Sequence, residues 1–235
     1  MVIKHTQDNW HQTLSLVERL LQSTSDLSFS YNNDKWSVLI IVSLNQSNMR
    51  LNSVAWLLRN ADCDSGVILT RSMFELSANL TYIFKDIEKR LPEYLEHGNI
   101  PITAEEIQKL QQEMENGNTE NVLNMIPTKS WKFTGELCSD LGEDWLNEYK
   151  SFYRYASIPS HAGAFTLGKS FLQLLRDEPL AEEELSKVLI TAVAFHLRVA
   201  KIVAGSFPTK ISIKKLNELD SECNKIGHSL GLFDK

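Results

Sequence analysis

The sequence predicts an all-α fold, a single-domain helical bundle, and three observations carry that prediction. Apolar residues recur at spacings of three and four through several long segments, as on a helix with one buried face. The alternating or β-branched runs that strands require are scarce. The six prolines fall at 92, 101, 127, 159, 179 and 208, where connections are wanted, because proline lacks the N–H that the helical ladder needs.

In chain order, the apolar period predicts helices over residues 6–22, 35–61 and 64–89, none of them interrupted by proline. Residues 98–142 are more polar and shorter in period. Asn116-Gly117-Asn118 and Pro127-Thr128-Lys129-Ser130 are turn signals there, and Thr103-Ala104-Glu105-Glu106 reads as a capping box. This stretch is expected to form a peripheral helical insertion. A helix over 143–156 then leads to a corner at Pro159, and helices over 181–204 and 212–225 close the bundle. No internal repeat, low-complexity tract or flexible linker divides the chain.

With 235 residues, 43% of them hydrophobic, and ten glycines, the chain can bury one substantial core. Cys63, Cys138 and Cys223 are odd in number and far apart, which suits core thiols in a reducing cytoplasm and neither a disulfide framework nor a zinc site. The first residues lack a signal peptide's basic start and apolar run. The most apolar stretch, 188–205, carries His196, Arg198 and Lys201, which lipid would penalise, so it is expected to be a buried helix and no membrane contact is foreseen. A net charge of −6 argues against broad binding to nucleic acid, so any such contact must be focused.

Two constellations could carry chemistry. The helix beginning near residue 64 is apolar over most of its circumference, yet Arg71, Glu75 and Asn79 interrupt it at i, i+4 and i+8, one stripe of polar groups that need partners. An internal Arg71–Glu75 salt bridge with Asn79 as a spacer would satisfy the stripe, and so would a polar pocket completed by another part of the chain. The second constellation is Tyr153-Arg154-Tyr155-Ala156-Ser157-Ile158-Pro159-Ser160-His161. Arg154 and His161 together suit phosphate binding and proton transfer near neutral pH, and Ser157 and Ser160 add hydroxyls able to bond a phosphate or the backbone. Taken singly, His161 reads as a turn-capping histidine and Arg154 as a solvent-facing residue.

The segments Leu57-Leu58-Arg59-Asn60-Ala61-Asp62 and Leu69-Thr70-Arg71-Ser72-Met73-Phe74-Glu75-Leu76, with the Arg154/His161 corner, resemble a bacterial helical family known only as a domain of unknown function. The layout is also similar to the HEPN (higher eukaryotes and prokaryotes nucleotide-binding) superfamily. Its signature is an arginine and a histidine separated by four to six residues; six lie between Arg154 and His161. Tyr155 departs from the Asn, Asp or His that often follows the arginine in HEPN ribonucleases. The resemblance implies a HEPN-like core and metal-independent RNA cleavage by attack of the ribose 2′-hydroxyl on the adjacent phosphate. His161 would be general base or acid, Arg154 would stabilise the phosphate charge, and Glu75 would match the acidic or polar residue of an earlier helix, with Arg71 beside it. It further implies a homodimer, RNA as partner, no cofactor, and a toxin or phage-defence setting.

Other motifs fail on context. Gly163-Ala164-Phe165-Thr166-Leu167-Gly168-Lys169-Ser170 fits the P-loop pattern, but no buried strand precedes it. Glu93, Glu96 and His97 lack the spacing of a di-iron bundle, and no histidines form a metal-ligand pattern. The basic run 210–215 reads as a solvated helix start. Two functions therefore compete: a HEPN-like ribonuclease, and a non-catalytic helical module whose polar stripe binds a protein partner or a small anionic ligand.

Overall fold

A computed structural model describes residues 3–25, 35–98, 104–118, 131–153, 156, 182–206 and 209–232. Among them every regular element is helical: α1 (Ile3–Thr24), α2 (Lys35–Arg59), α3 (Cys63–Phe84), α4 (Ile87–Gly98), α5 (Ala104–Glu115), α6 (Thr134–Leu141), α7 (Glu143–Glu148), a π-helical turn (Tyr149–Tyr153), α8 (Glu182–Ser206) and α9 (Ile213–Ser229). The all-α bundle expected from periodicity is what forms.

The connection between α2 and α3 shows how local chemistry sets topology. Asp62 N–H bonds to Leu57 O and Ala61 N–H to Leu58 O, the paired bonds that close a helix C-terminus. Ala61 is thereby held at φ 60°, a left-handed conformation usually given to glycine. Asp62 at once caps the next helix, its side chain accepting from Ser65 N–H at 3.1 Å. So short a turn makes α2 and α3 antiparallel, with Leu58 beside Gly66, Arg50 beside Ser72, and Trp36 stacked on Phe84. A Cβ on Gly66 would stand 2.8 Å from Leu58 Cδ2, so the glycine permits this close approach.

Helix α8 lies at the centre and packs on α1, α2, α3 and α9. One helix, α8 alone among the described residues, is long and apolar enough to cross a membrane, but 61% of its most apolar window is buried inside the protein. Leu189, Ile190, Val193, Phe195, Val199 and Val203 are at or near zero exposure, so the apolar run is core, as expected. Helix α9 runs antiparallel to α1, joined by Arg19 to Glu222 and Ser229 to Asn9. It runs antiparallel to α8 as well, with a Lys201–Asp220 pair at 2.7 Å.

Three boundaries differ from expectation. The helix expected over 64–89 ends at Phe84, where Lys85 and Asp86 tighten into a turn; Arg90 donates to the freed Tyr82 carbonyl at 2.7 Å, satisfying an orphan acceptor. Pro92, expected at a connection, instead lies inside α4. In the polar stretch 98–142, α6 belongs to the core, with Leu137, Cys138 and Leu141 buried and the helix packed on α3. Thr103 of the expected capping box lies outside the described residues, while α5 does start at Ala104.

Candidate functional site

Phe74, fully buried on α3, organises the site. Around its ring stand Phe195 of α8 at 5.2 Å, Tyr153 at 5.7 Å, Trp145 at 5.8 Å and Phe152 at 6.4 Å between centroids. These separations are those of favourable tilted and edge-on aromatic pairs. The cluster brings α7 and the π-helical turn onto α3. Glu148 then locks the turn to α8 by accepting from both Arg198 terminal nitrogens, at 2.6 and 3.0 Å, a forked geometry that fixes orientation. Arg198 also lies over the Trp145 ring at 4.7 Å.

The π-helical turn swings its tyrosines toward the polar stripe of α3. Tyr149 stacks on Tyr153 at 4.9 Å and closely approaches Gly135, where a Cβ would meet its hydroxyl at 3.1 Å. The Tyr153 hydroxyl accepts from Arg71 Nη2 at 2.7 Å and donates to Glu75 Oε1 at 2.7 Å. Arg71 Nε is itself 3.4 Å from Glu75 Oε1, and its guanidinium carbon lies 4.5 Å from the Tyr153 ring centroid. Burial raises the Tyr153 pKa, and its bond to Glu75 adds to the rise, while bonds to Thr134 and Arg71 oppose it. Its phenol is therefore a neutral bridge between a cation and a carboxylate.

Arg50 of α2 extends this cluster, donating toward Ser72 O at 3.5 Å and Gln46 Oε1 at 3.4 Å. Burial lowers its pKa and the charge of Glu75 acts against that lowering. The charge of Glu75 thus acts on two guanidinium groups, Arg71 and Arg50.

Of the residues singled out from sequence, Arg71 and Glu75 are brought together, the salt bridge that was one of the two arrangements open to the stripe. Half-buried Asn79 makes no hydrogen bond to the cluster among the described residues. Arg154, Ser157, Ser160 and His161 lie outside the described residues, as does the P-loop-like segment 163–170. Sequence reasoning missed Tyr153 and Arg50 as members of the cluster. A tyrosine directly preceding Arg154 was the available signal, but its partner is 78 residues away.

A second polar cluster, also missed, is wholly internal. His196 on α8 has zero exposure, with Nδ1 2.8 Å from Ser47 Oγ and Nε2 3.3 Å from Thr24 Oγ1. Thr24 Oγ1 in turn lies 2.7 Å from Asn48 Oδ1. A neutral ring protonated at Nε2 fits this chain, with Ser47 donating to Nδ1 and Thr24 donating to Asn48. Burial pushes the His196 pKa down to about 4. Burial likewise pushes the Cys138 and Cys223 thiols up, to about 11 and about 12, so they serve as core side chains. Cys63, at the start of α3, is only half-buried.

Fold and site define a helical-bundle protein with an arginine–tyrosine–glutamate cluster seated where a π-helical turn meets a core helix. A family model described as "Family of unknown function (DUF5677)" matches residues 38–179, more than half of the chain. The chain belongs to that family, whose matched span contains Arg71, Glu75, Tyr153 and the whole Arg154/His161 corner. No curated protein and no solved structure matches it.

Proposed function

We propose that this protein is a HEPN-like ribonuclease that cleaves RNA without a metal ion, with Arg154 and His161 at the reacting phosphate. The observation that supports this reading is the bridge from Arg71 and Glu75 to Tyr153, because it ties the polar stripe of α3 to the residue immediately before Arg154. In the proposed reaction, His161 removes the proton of the ribose 2′-hydroxyl, whose oxygen bonds to the adjacent phosphorus. The bond to the 5′-oxygen breaks, and that oxygen leaves with a proton taken from water, while His161 returns its proton to solvent. The products are a 2′,3′-cyclic phosphate and a 5′-hydroxyl end. Arg154 offers a planar fork of donors to the phosphate oxygens as charge grows on them. Arg71 and Glu75 support the site through Tyr153, and Arg50 adds positive charge nearby.

The second reading is a non-catalytic helical module. It is favoured by the bonds that Arg71, Glu75 and Tyr153 make to one another, the internal pairing that a structural stripe would have.

The deciding experiment incubates purified protein with RNA and with the matching all-deoxy strand, in the presence of a chelator. The ribonuclease reading expects cleavage of RNA only, cyclic-phosphate ends, and loss of cleavage in both His161→Ala and Arg154→Ala with helix content unchanged. Intact RNA would leave the interaction module as the function, and cleavage that survives in both variants would remove Arg154 and His161 from the reaction.

A further inference from the structure

We infer that Phe133 is a stacking platform for an unpaired base of single-stranded RNA, at the rim of the arginine–tyrosine–glutamate cluster. Its side chain is 73% exposed, the highest value for a large apolar residue among the described residues. The chain on either side of it is anchored. Trp131 packs edge-on against Tyr82 and Tyr94, at 5.3 and 5.1 Å between centroids, and the Lys132 ammonium lies 2.9 Å from both the Tyr82 hydroxyl and Asp140 Oδ2. Thr134 bonds to the Tyr153 hydroxyl, and a Cβ on Gly135 would stand 3.1 Å from the Tyr149 hydroxyl. Both flanks of Phe133 are thus tied into the protein while its own ring is turned out to solvent.

The backbone at Phe133 is as fixed as its neighbours. The residue is the N-cap of α6, at φ −66° and ψ 137°, and its carbonyl accepts from Glu136 N–H at 2.9 Å and Leu137 N–H at 3.1 Å. That position ordinarily goes to Ser, Thr, Asn or Asp, whose side chain bonds a free N–H of the first turn. Phenylalanine forgoes that bond and buries little apolar surface in return, so local stability does not account for it.

Shape and surroundings choose the occupant. The residues on either side, Lys132 and Thr134, are polar, and so is exposed Glu136 in the same turn. A lone ring among polar residues lacks the contiguous apolar area of a protein interface. One open π-face suits one flat partner, and any base can stack on it. The bases of a duplex are already stacked on their neighbours, so the platform selects single-stranded RNA. Its place beside the reacting phosphate rests on the ribonuclease reading, because Thr134 meets Tyr153, the residue before Arg154.

The test uses the full chain and a short single-stranded RNA with fluorine at every 2′ position, which lacks the attacking hydroxyl, and with fluorescent 2-aminopurine at one position at a time. The wild type is expected to bind this strand more tightly than the matching duplex and to quench 2-aminopurine at one position. Phe133→Ala and Phe133→Leu are expected to lose that quenching and to raise Kd about tenfold or more, with helix content unchanged, while Phe133→Trp keeps both. Absence of quenching in the wild type, a duplex bound as tightly as the strand, or a Phe133→Leu variant that binds and quenches like the wild type would each overturn the assignment. Failure of the ribonuclease reading is a separate result, in which the quenching pattern holds while unmodified RNA stays intact.

Discussion

Tyr153 is the residue on which the site converges, since one phenolic oxygen accepts from Arg71 and donates to Glu75. Tyr153→Phe keeps the ring that packs on Phe74 and Tyr149 but removes the hydroxyl's bonds to Arg71, Glu75 and Thr134. Hydrogen bonds to charged groups contribute about 1.5–3 kcal/mol when desolvated; Glu75 is 35% exposed and can recover water, so the expected loss is about 1–2 kcal/mol. Urea denaturation checks this, with a lower midpoint at unchanged slope. His196 makes a prediction of a different kind. Its pKa is about 4 in the fold against an ordinary 6.5, so between those values the unfolded chain binds a proton that the folded protein refuses. Stability from this group is therefore level above pH 6.5, falls as pH drops toward 4, and levels again below. The full loss is roughly 3 kcal/mol. Denaturation midpoints from pH 4 to 7 should show a slope that is shallower in His196→Gln, whatever that variant's overall stability.

At the scale of elements, the α2–α3 turn and the π-helical turn place the site. Ala61 sits at φ 60°, where a Cβ costs about 1–2 kcal/mol. Ala61→Gly should raise stability by about 1 kcal/mol after the added freedom of the unfolded glycine is set against that relief. A thermal melt with an increase of a few degrees checks it; a decrease would mean the turn is not strained. Helix α3 shows what periodicity conveys and what it omits. The stripe Arg71, Glu75 and Asn79 was legible as groups needing partners, because i, i+4 spacing is a property of any helix. Tyr153 as the partner was not, because only folding brings α3 and the π-helical turn together. A wide turn has no strong sequence signature, and residues 143–156 read as one regular helix. Likewise His196 on an apolar helix reads as a misfit until α1 and α2 deliver Thr24, Asn48 and Ser47 to it.

In the molecule as a whole, one side chain joins the central helix to the site. Phe74 contacts Phe195 of α8 and both aromatic residues at the end of the π-helical turn. Phe74→Ala should cost about 3–5 kcal/mol, the range for emptying a buried aromatic position. It should also loosen Tyr153, so near-ultraviolet circular dichroism is expected to lose tyrosine signal at temperatures where the far-ultraviolet helix signal persists. Retention of both signals with a small change in midpoint would show that the core closes over the vacancy.

What the sequence determined by itself was the helical character of the chain, the approximate span of its long helices, the burial of its most apolar segment and the alignment of Arg71 and Glu75 on one stripe. Those depend on spacing within one helix, which the order of residues dictates. Only the tertiary structure decided that Tyr153 closes that pair, that α6 belongs to the core, and that His196 is held neutral among hydroxyls. Each of these depends on groups distant in sequence meeting in a water-poor interior, where an unmatched polar atom is costly and the partner that satisfies it is chosen by packing.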